Sequence, residues 1–185
     1  MLRAGNLVVY PTDSCYALGC RIGDKAPMER MRAIRKRDER HHFALVCRDL
    51  AEIAQYARLD NSQFRLIKAA TPGSYTFILQ ATREVPKRLL HASRRTIGLR
   101  VPNHKVAQAL LAELGEPLLS STLLLPGDEA PLNDAEEIRA RLERQVDLVI
   151  DAGSCGIVPT TVVDLTGDGP VITRVGKGST APFVQ

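Results

Sequence analysis

Asn6-Leu7-Val8-Val9-Tyr10-Pro11-Thr12-Asp13-Ser14-Cys15-Tyr16-Ala17-Leu18-Gly19 opens the organised part of the chain. Residues 6–10 end in an unbroken apolar run, the pattern of a buried central strand, and Pro11 closes it. The loop over residues 11–19 is rich in hydroxyls and ends in glycine. It follows the carboxyl end of a buried strand, where open α/β sheets hold their ligands.

The remaining elements extend that pattern. Asp24 is placed to cap a helix whose Met28, Met31 and Ile34 recur at helical spacing, with Pro27 tolerated in its first turn. Residues 43–47 read as a second buried strand. Residues 62–69 read as a helix with Phe64, Leu66 and Ile67 on its apolar side, and residues 75–80 and 96–101 as strands bracketed by Pro and Gly. Asn103 is the predicted cap of the clearest helix. Its Val106, Ala107, Leu110, Leu111 and Leu114 hold helical spacing, and Gly115 sits where a C-cap glycine belongs. Leu118-Leu119 continue into Ser120-Ser121-Thr122 as a strand. Residues 134–144 form a helix, acidic at its start and basic at its end, as the helix dipole favours. Residues 146–150, 161–165 and 171–174 are the last strands, with antiparallel pairing expected at an edge. About eight strands interleaved with about four helices predict an α/β fold: a single twisted mixed sheet with flanking helices. No Pro/Gly/Ser-rich linker divides the 185 residues, so a single domain over residues 1–185 is expected.

Composition removes several classes of function. No apolar run approaches the roughly 20 residues of a membrane span, and residues 1–5 show no signal-peptide pattern. A soluble, cytoplasmic protein is expected. Cys15, Cys20, Cys47 and Cys155 form no C-x-x-C pair, which argues against a structural metal or a disulfide framework. Cys15 has no base beside it in sequence and is not expected to be a nucleophile. With four Tyr, four Phe and no Trp, a stacking platform for single-stranded bases is not expected. The net charge of +4 is modest, so the distribution of charge matters more than its sum.

Three constellations carry chemistry. The first is the loop over residues 11–19, with Thr12 and Ser14 as hydroxyls and Asp13 as a partner for an ammonium group; such a loop is also an ordinary turn. The second is the run Arg30, Arg32, Arg35, Lys36, Arg37 and Arg40, followed by His41 and His42 and offset only by Glu29, Asp38 and Glu39. It suits phosphate, although a charge run is commonly a solvated surface. The third is spread along strand ends: Thr76, Arg100, Ser120-Ser121-Thr122, Thr160-Thr161 and Arg174. Its hydroxyls and arginines suit a small zwitterion beside phosphates if they converge on one face. No Walker loop, G-x-G-x-x-G, H-E-x-x-H or nucleophile elbow is present, and no residue is nominated as catalytic.

Six segments in order resemble the YrdC/YciO family, whose members include the threonylcarbamoyl-AMP synthases of tRNA modification. They are Pro11-Thr12-Asp13-Ser14 through Leu18-Gly19, the basic patch ending at Arg37, and Pro72-Gly73-Ser74-Tyr75-Thr76-Phe77. Then come Gly98-Leu99-Arg100-Val101-Pro102, Glu116-Pro117-Leu118-Leu119-Ser120-Ser121-Thr122, and Thr160-Thr161-Val162-Val163-Asp164. The resemblance runs from about residue 6 to residue 178 and implies a YrdC-like sheet with a basic concave face. It implies enzymes that join L-threonine, bicarbonate and ATP into threonylcarbamoyl-adenylate and release pyrophosphate, with Mg²⁺ on the triphosphate. By position, Thr12, Arg100, Ser120 and Thr161 would face the threonine. Arg35, Arg37, Thr76, Thr122 and Arg174 would face the nucleotide and its phosphates. Arg30, Arg32, Lys36 and Arg40 are the residues expected to meet double-stranded RNA or tRNA.

Two departures are specific. The synthases pair K-x-R in the basic patch with S-x-N after the fifth strand. Here these are Arg35-Lys36-Arg37 and Thr122-Leu123-Leu124. Arg for Lys keeps charge and changes shape; Leu124 for Asn removes a donor and an acceptor. Both departures, with Asp13-Ser14-Cys15-Tyr16 and Leu124-Leu125-Pro126-Gly127, resemble the YciO subgroup. Members of the family also carry a further N-terminal segment, so the resemblance implies a missing lid or edge strand. Three readings follow: a weak or altered synthase that binds nucleotide and RNA, a non-enzymatic RNA-binding module, and a hydrolase or interaction module on the same fold.

Overall fold

The computed structural model describes residues 1–36 and 43–184. Among these, nine strands form one mixed sheet: β1 (Val8–Tyr10), β2 (Ala17–Arg21), β3 (Ala44–Val46), β4 (Tyr75–Gln80), β5 (Thr96–Arg100), β6 (Leu118–Thr122), β7 (Leu148–Val149), β8 (Thr161–Asp164) and β9 (Val171–Arg174). Their order across the sheet is β7-β1-β2-β6-β3-β5-β4-β8-β9. Parallel ladders join β1 to β7, β3 to β5 and β4 to β8; the remaining neighbours are antiparallel. Five helices flank it: α1 (Lys25–Arg35), α2 (Leu50–Tyr56), α3 (Asn61–Ala70), α4 (Lys105–Leu114) and α5 (Ala135–Leu142). Among the described residues, no helix is long and apolar enough to cross a membrane.

Period-two alternation sorts the side chains into two cores of different size. On one face Leu18, Leu45, Phe77, Leu99 and Leu119 pack under Met31 of α1, Ile53 of α2, Ile67 of α3 and Ile138 of α5. On the other, Val8, Tyr10, Ala17, Val46 and Leu118 pack under Ala107 and Leu111 of α4, with Leu2 of the N-terminal turn beside them. Burying each large aliphatic side chain contributes about 1.5–3 kcal/mol, so four helices hold the first face and one covers part of the second. The uncovered part of that second face is where the site lies.

The structure bears out the α/β class and the single mixed sheet, and it corrects details. The strand expected as central, at residues 6–10, lies second from the edge. Its apolar run reflects cover on both faces, with Leu7 and Val9 in one core and Val8 and Tyr10 in the other. The polar loop expected over residues 11–19 is shorter, because Ala17–Arg21 returns as β2 in a hairpin with β1. Gly19 permits the pairing: a Cβ there would stand 2.7 Å from the ring of Tyr10. The cap of α4 is His104, whose Nδ1 accepts the N–H groups of Val106 at 3.2 Å and Ala107 at 3.5 Å. Asn103, expected there, donates its own N–H to Asp13 Oδ2 at 2.9 Å. Asp24 stands at the N-cap of α1 without a capping side-chain bond. Helix α2, which periodicity did not suggest, is capped by Asp49 Oδ1 accepting from Glu52 N at 2.9 Å.

Candidate functional site

The part of the sheet that α4 leaves open floors a cavity of about 310 Å³. That lies at the lower end of small-molecule pockets. Its floor is low because the residues there are small. Ser120 pairs in register with Ala44, and Ala44 with Gly98. A Cβ on Gly98 would meet Thr76 Cγ2 at 3.0 Å. Among the described residues the lining carries Arg35, Arg94, Arg100, Arg174 and His91, the hydroxyls of Thr76, Thr96, Ser120, Ser121, Thr122 and Thr160, and one carboxylate, Asp164. The register that sets side chains on this face runs Val46 to Arg100 and Thr76 to Val162 to Arg174.

Arg100 is a nearly fully desolvated charge. It is ion-paired with Asp13, and the two side chains are 7% and 11% exposed. Its Nη1 donates to Ser14 Oγ at 3.2 Å. Its Nε is buried and has no hydrogen-bond partner among the described residues. Arg35 is buried and clamps the chain after β6, with Nη1 donating to the carbonyls of Thr122 and of Leu124, the latter at 3.0 Å. Arg174 donates through Nε to Thr160 O and through Nη2 to Thr160 Oγ1, both at 3.0 Å, and Thr160 Oγ1 meets Thr76 Oγ1 at 2.7 Å. Ser120 Oγ donates to Leu18 O at 2.9 Å and lies 2.7 Å from the Tyr10 hydroxyl. Burial pushes that phenol up to about 12, which keeps it protonated. Burial likewise pushes the Cys15 thiol up to about 11, so it lines the cavity as a neutral thiol near pH 7.

Of the residues nominated from sequence, Arg35, Thr76, Arg100, Ser120, Thr122 and Arg174 line this one cavity. Thr12 and Thr161 do not line it; their hydroxyls turn inward as braces. Thr12 Oγ1 donates to Cys15 O at 2.6 Å, and Thr161 Oγ1 donates to Gly178 O at 2.6 Å while accepting from Gly176 N at 2.9 Å. Arg30 is directed to Asp147, at 2.7 Å, and Gln145 O, at 2.8 Å. Arg32 stacks over Phe43 at 5.4 Å from the ring centroid. Lys36 is exposed at the C-cap of α1. Arg37 and Arg40, with His41 and His42, lie outside the described residues. Sequence reading passed over His91, Arg94 and Asp164. The basic run of residues 83–95 was the signal available for the first two.

Among the described residues, no three His, Cys, Asp or Glu side chains gather to hold a metal ion. With one carboxylate in the lining, a Mg²⁺ ion would be carried chiefly by the phosphates of a nucleotide.

Comparison with known proteins bears on the family and the fold. The family model described as Sua5_yciO_yrdC, telomere recombination, matches residues 1–176. The crystal structure of Escherichia coli YciO superposes with a TM-score of 0.95 at 56% identity, covering 99% of this chain and 89% of that one. A threonylcarbamoyl-AMP synthase of Halorhodospira halophila is 31% identical over 165 residues, 88% of this chain and 85% of the synthase. P. abyssi Sua5 complexed with L-threonine matches with a TM-score of 0.86 at 25% identity, over 95% of this chain and 52% of that protein. This chain therefore spans about half of Sua5. With nearly its whole length matched by the family model, the chain belongs to the Sua5/YciO/YrdC family.

Proposed function

We propose that the cavity binds an adenine nucleotide beside a small amino acid, and that the chain forms threonylcarbamoyl-adenylate, or a related acyl-adenylate, slowly. The observation that carries this reading is the convergence of Arg35, Arg100 and Arg174 with six hydroxyls on a part of a buried sheet face that the helices leave open among the described residues. In that reaction the carbamate carboxylate of N-carboxy-threonine, formed from the amine and bicarbonate with loss of water, attacks the α-phosphorus of ATP, and pyrophosphate leaves. The protein's part is positioning and charge neutralisation rather than covalent catalysis. Arg100 and Ser120 suit the amino acid, and Arg35, Thr76, Thr122 and Arg174 the nucleotide, whose Mg²⁺ arrives with the triphosphate.

Low turnover follows from two features of the lining. Leu124 presents an apolar side chain where the synthase signature has Asn, and Arg35 is engaged with the carbonyls of Thr122 and Leu124. Double-stranded RNA or tRNA is the proposed macromolecular partner, supported by exposed cations outside the cavity such as Lys36. Four free thiols suit a reducing, cytoplasmic setting.

The test is pyrophosphate release with ATP, L-threonine and bicarbonate, each omitted in turn, alongside melting shifts with AMP, ATP, L-threonine and tRNA. Slow release that requires all three substrates, with stabilisation by AMP or ATP, is the expected result. Absence of any nucleotide-induced shift at millimolar concentration removes the reading.

A further inference from the structure

Away from the cavity, a second depression of about 620 Å³ is lined by Arg58, Arg83, Lys87 and Arg95, with no acidic residue in its wall among the described residues. Three separate segments bring these cations together, and backbone bonds fix each. Ala57 bridges to Ala81, Arg58 N donates to Gln80 O at 2.8 Å, and Thr82 N donates to Tyr56 O at 2.9 Å. Ala81 N donates to Arg95 O at 3.1 Å, and Arg95 N to His91 O at 2.9 Å. Arg95 is held at φ 55, a left-handed conformation that side chains other than glycine's avoid. All four cations are exposed, and among the described residues none makes a side-chain hydrogen bond or ion pair. Their neighbour Arg88, by contrast, is used structurally, donating to Gly23 O at 3.0 Å.

Like charges gathered in one place without acids repel one another, so a structure that fixes them there is suited to an external anion. Three of the four are arginines, whose fork matches phosphate oxygens in pairs. The depression is open and its cations lie at the surface, which suits a chain of phosphates better than one enclosed anion. Its lining has no aromatic ring on which a base would stack, so recognition falls on the backbone. Position supplies a further argument. Arg95 lines the groove and the preceding residue, Arg94, lines the cavity, so the segment 91–95 is the ridge between the two.

We propose that the groove formed by Arg58, Arg83, Lys87 and Arg95 seats the phosphodiester backbone of RNA, independent of base sequence, along the rim of the cavity. The proposal rests on the reading of RNA as a partner and places it on this groove rather than along α1, where Arg30 and Arg32 already have partners.

The experiment measures binding of a short double-stranded RNA as a function of salt. It compares wild type with a quadruple variant, Arg58→Ala, Arg83→Ala, Lys87→Ala and Arg95→Gly, the last chosen to suit φ 55. A control removes the same number of positive charges elsewhere: Lys25→Ala, Lys68→Ala, Arg139→Ala and Arg144→Ala. Four lost phosphate contacts flatten the slope of log affinity against log salt by about 3–4, which between 0.1 M and 1 M salt amounts to roughly 10³- to 10⁴-fold in affinity. The expected result is that flattening in the quadruple variant alone, with cooperative melting retained. Wild-type binding that survives the quadruple change, or an equal loss in the control, overturns the groove and leaves RNA as a partner. A wild type that binds no RNA at low salt overturns both. An acidic peptide that displaces the RNA at lower concentration than unlabelled RNA does also overturns the assignment.

Discussion

Replacing Asp13 by Asn isolates what its carboxylate contributes. Asp13 accepts from Arg100 Nη2 and from the N–H of Asn103, the latter at 2.9 Å, which ties the β1–β2 turn to the start of α4. Both side chains are nearly buried, so water does not replace the lost charge. Two unit charges about 4 Å apart at an effective dielectric of about 20 interact by about 4 kcal/mol, which is the ceiling. The floor comes from hydrogen bonding: a bond to a charged partner contributes about 1.5–3 kcal/mol and a neutral one about 0.5–1.5, and Asn keeps a carbonyl to accept one N–H. Asp13→Asn should therefore cost about 1.5–4 kcal/mol. At roughly 2–4 °C per kcal/mol for a chain of this size, the melting temperature falls by about 3–16 °C. The same change leaves Arg100 without its counter-ion in the cavity wall, so phosphate or AMP should stabilise the variant more than the wild type. Thermal melts with and without each anion read both effects. A variant that melts within about 2 °C of wild type and gains nothing extra from phosphate would show that this ion pair neither holds the turn nor tunes the site.

Three further outcomes are expected. His104 caps α4 through an unprotonated Nδ1, and burial lowers its pKa against the opposing pull of Asp13. Its contribution is present above the unfolded value near 6.5 and is lost as pH falls through the lower folded value. His104→Asn, which keeps a cap, should remove this loss from the stability profile on going from pH 7 to pH 5; a wild-type loss that persists in the variant assigns it elsewhere. Cys15, with its thiol pushed up to about 11, should react slowly with iodoacetamide near neutrality and faster only toward that pH; rapid labelling at pH 7 would contradict the buried, neutral thiol. Leu124→Asn, alone and with Arg35→Lys, should raise pyrophosphate release roughly 10- to 150-fold if one polar contact tightens in the transition state. An unchanged rate in both would clear these two side chains of limiting the reaction.

The fold was largely legible because its elements carry local signals. Gly115, with φ 75, ends α4 where the spacing places it, and Asp134 caps α5 by accepting from Glu137 N at 2.9 Å. What escaped depended on distant partners. The stretch Ala17–Arg21 looks like a loop because Gly19 interrupts it, and it becomes a strand only between β1 and β6. Helix α2 has seven residues, too few for periodicity to speak. At the site, Thr76, Arg100, Ser120 and Arg174 were readable as strand residues, but their convergence depends on β6 inserting between β2 and β3. Thr12 and Thr161 carry the right chemistry and turn it inward, which residue type alone does not reveal. Arg30 is claimed by Asp147, far along the chain.

The pairing of β4 between β5 and β8 has a consequence for synthesis. Tyr75-Thr76-Phe77-Ile78-Leu79-Gln80 has no charge and no proline, the composition of a segment prone to self-association when its edge is bare. Strand β5 follows within the next twenty residues, but β8 begins only at Thr161. At about 5–20 residues per second the ribosome needs roughly 4–17 s to cover that interval. Throughout it, one edge of this uncharged strand lacks its native neighbour. Chains that stall or are cut before β8 should therefore be lost to insolubility rather than persist as partly active fragments, and the late strands β8 and β9 protect the sheet as well as furnishing Arg174 to the cavity.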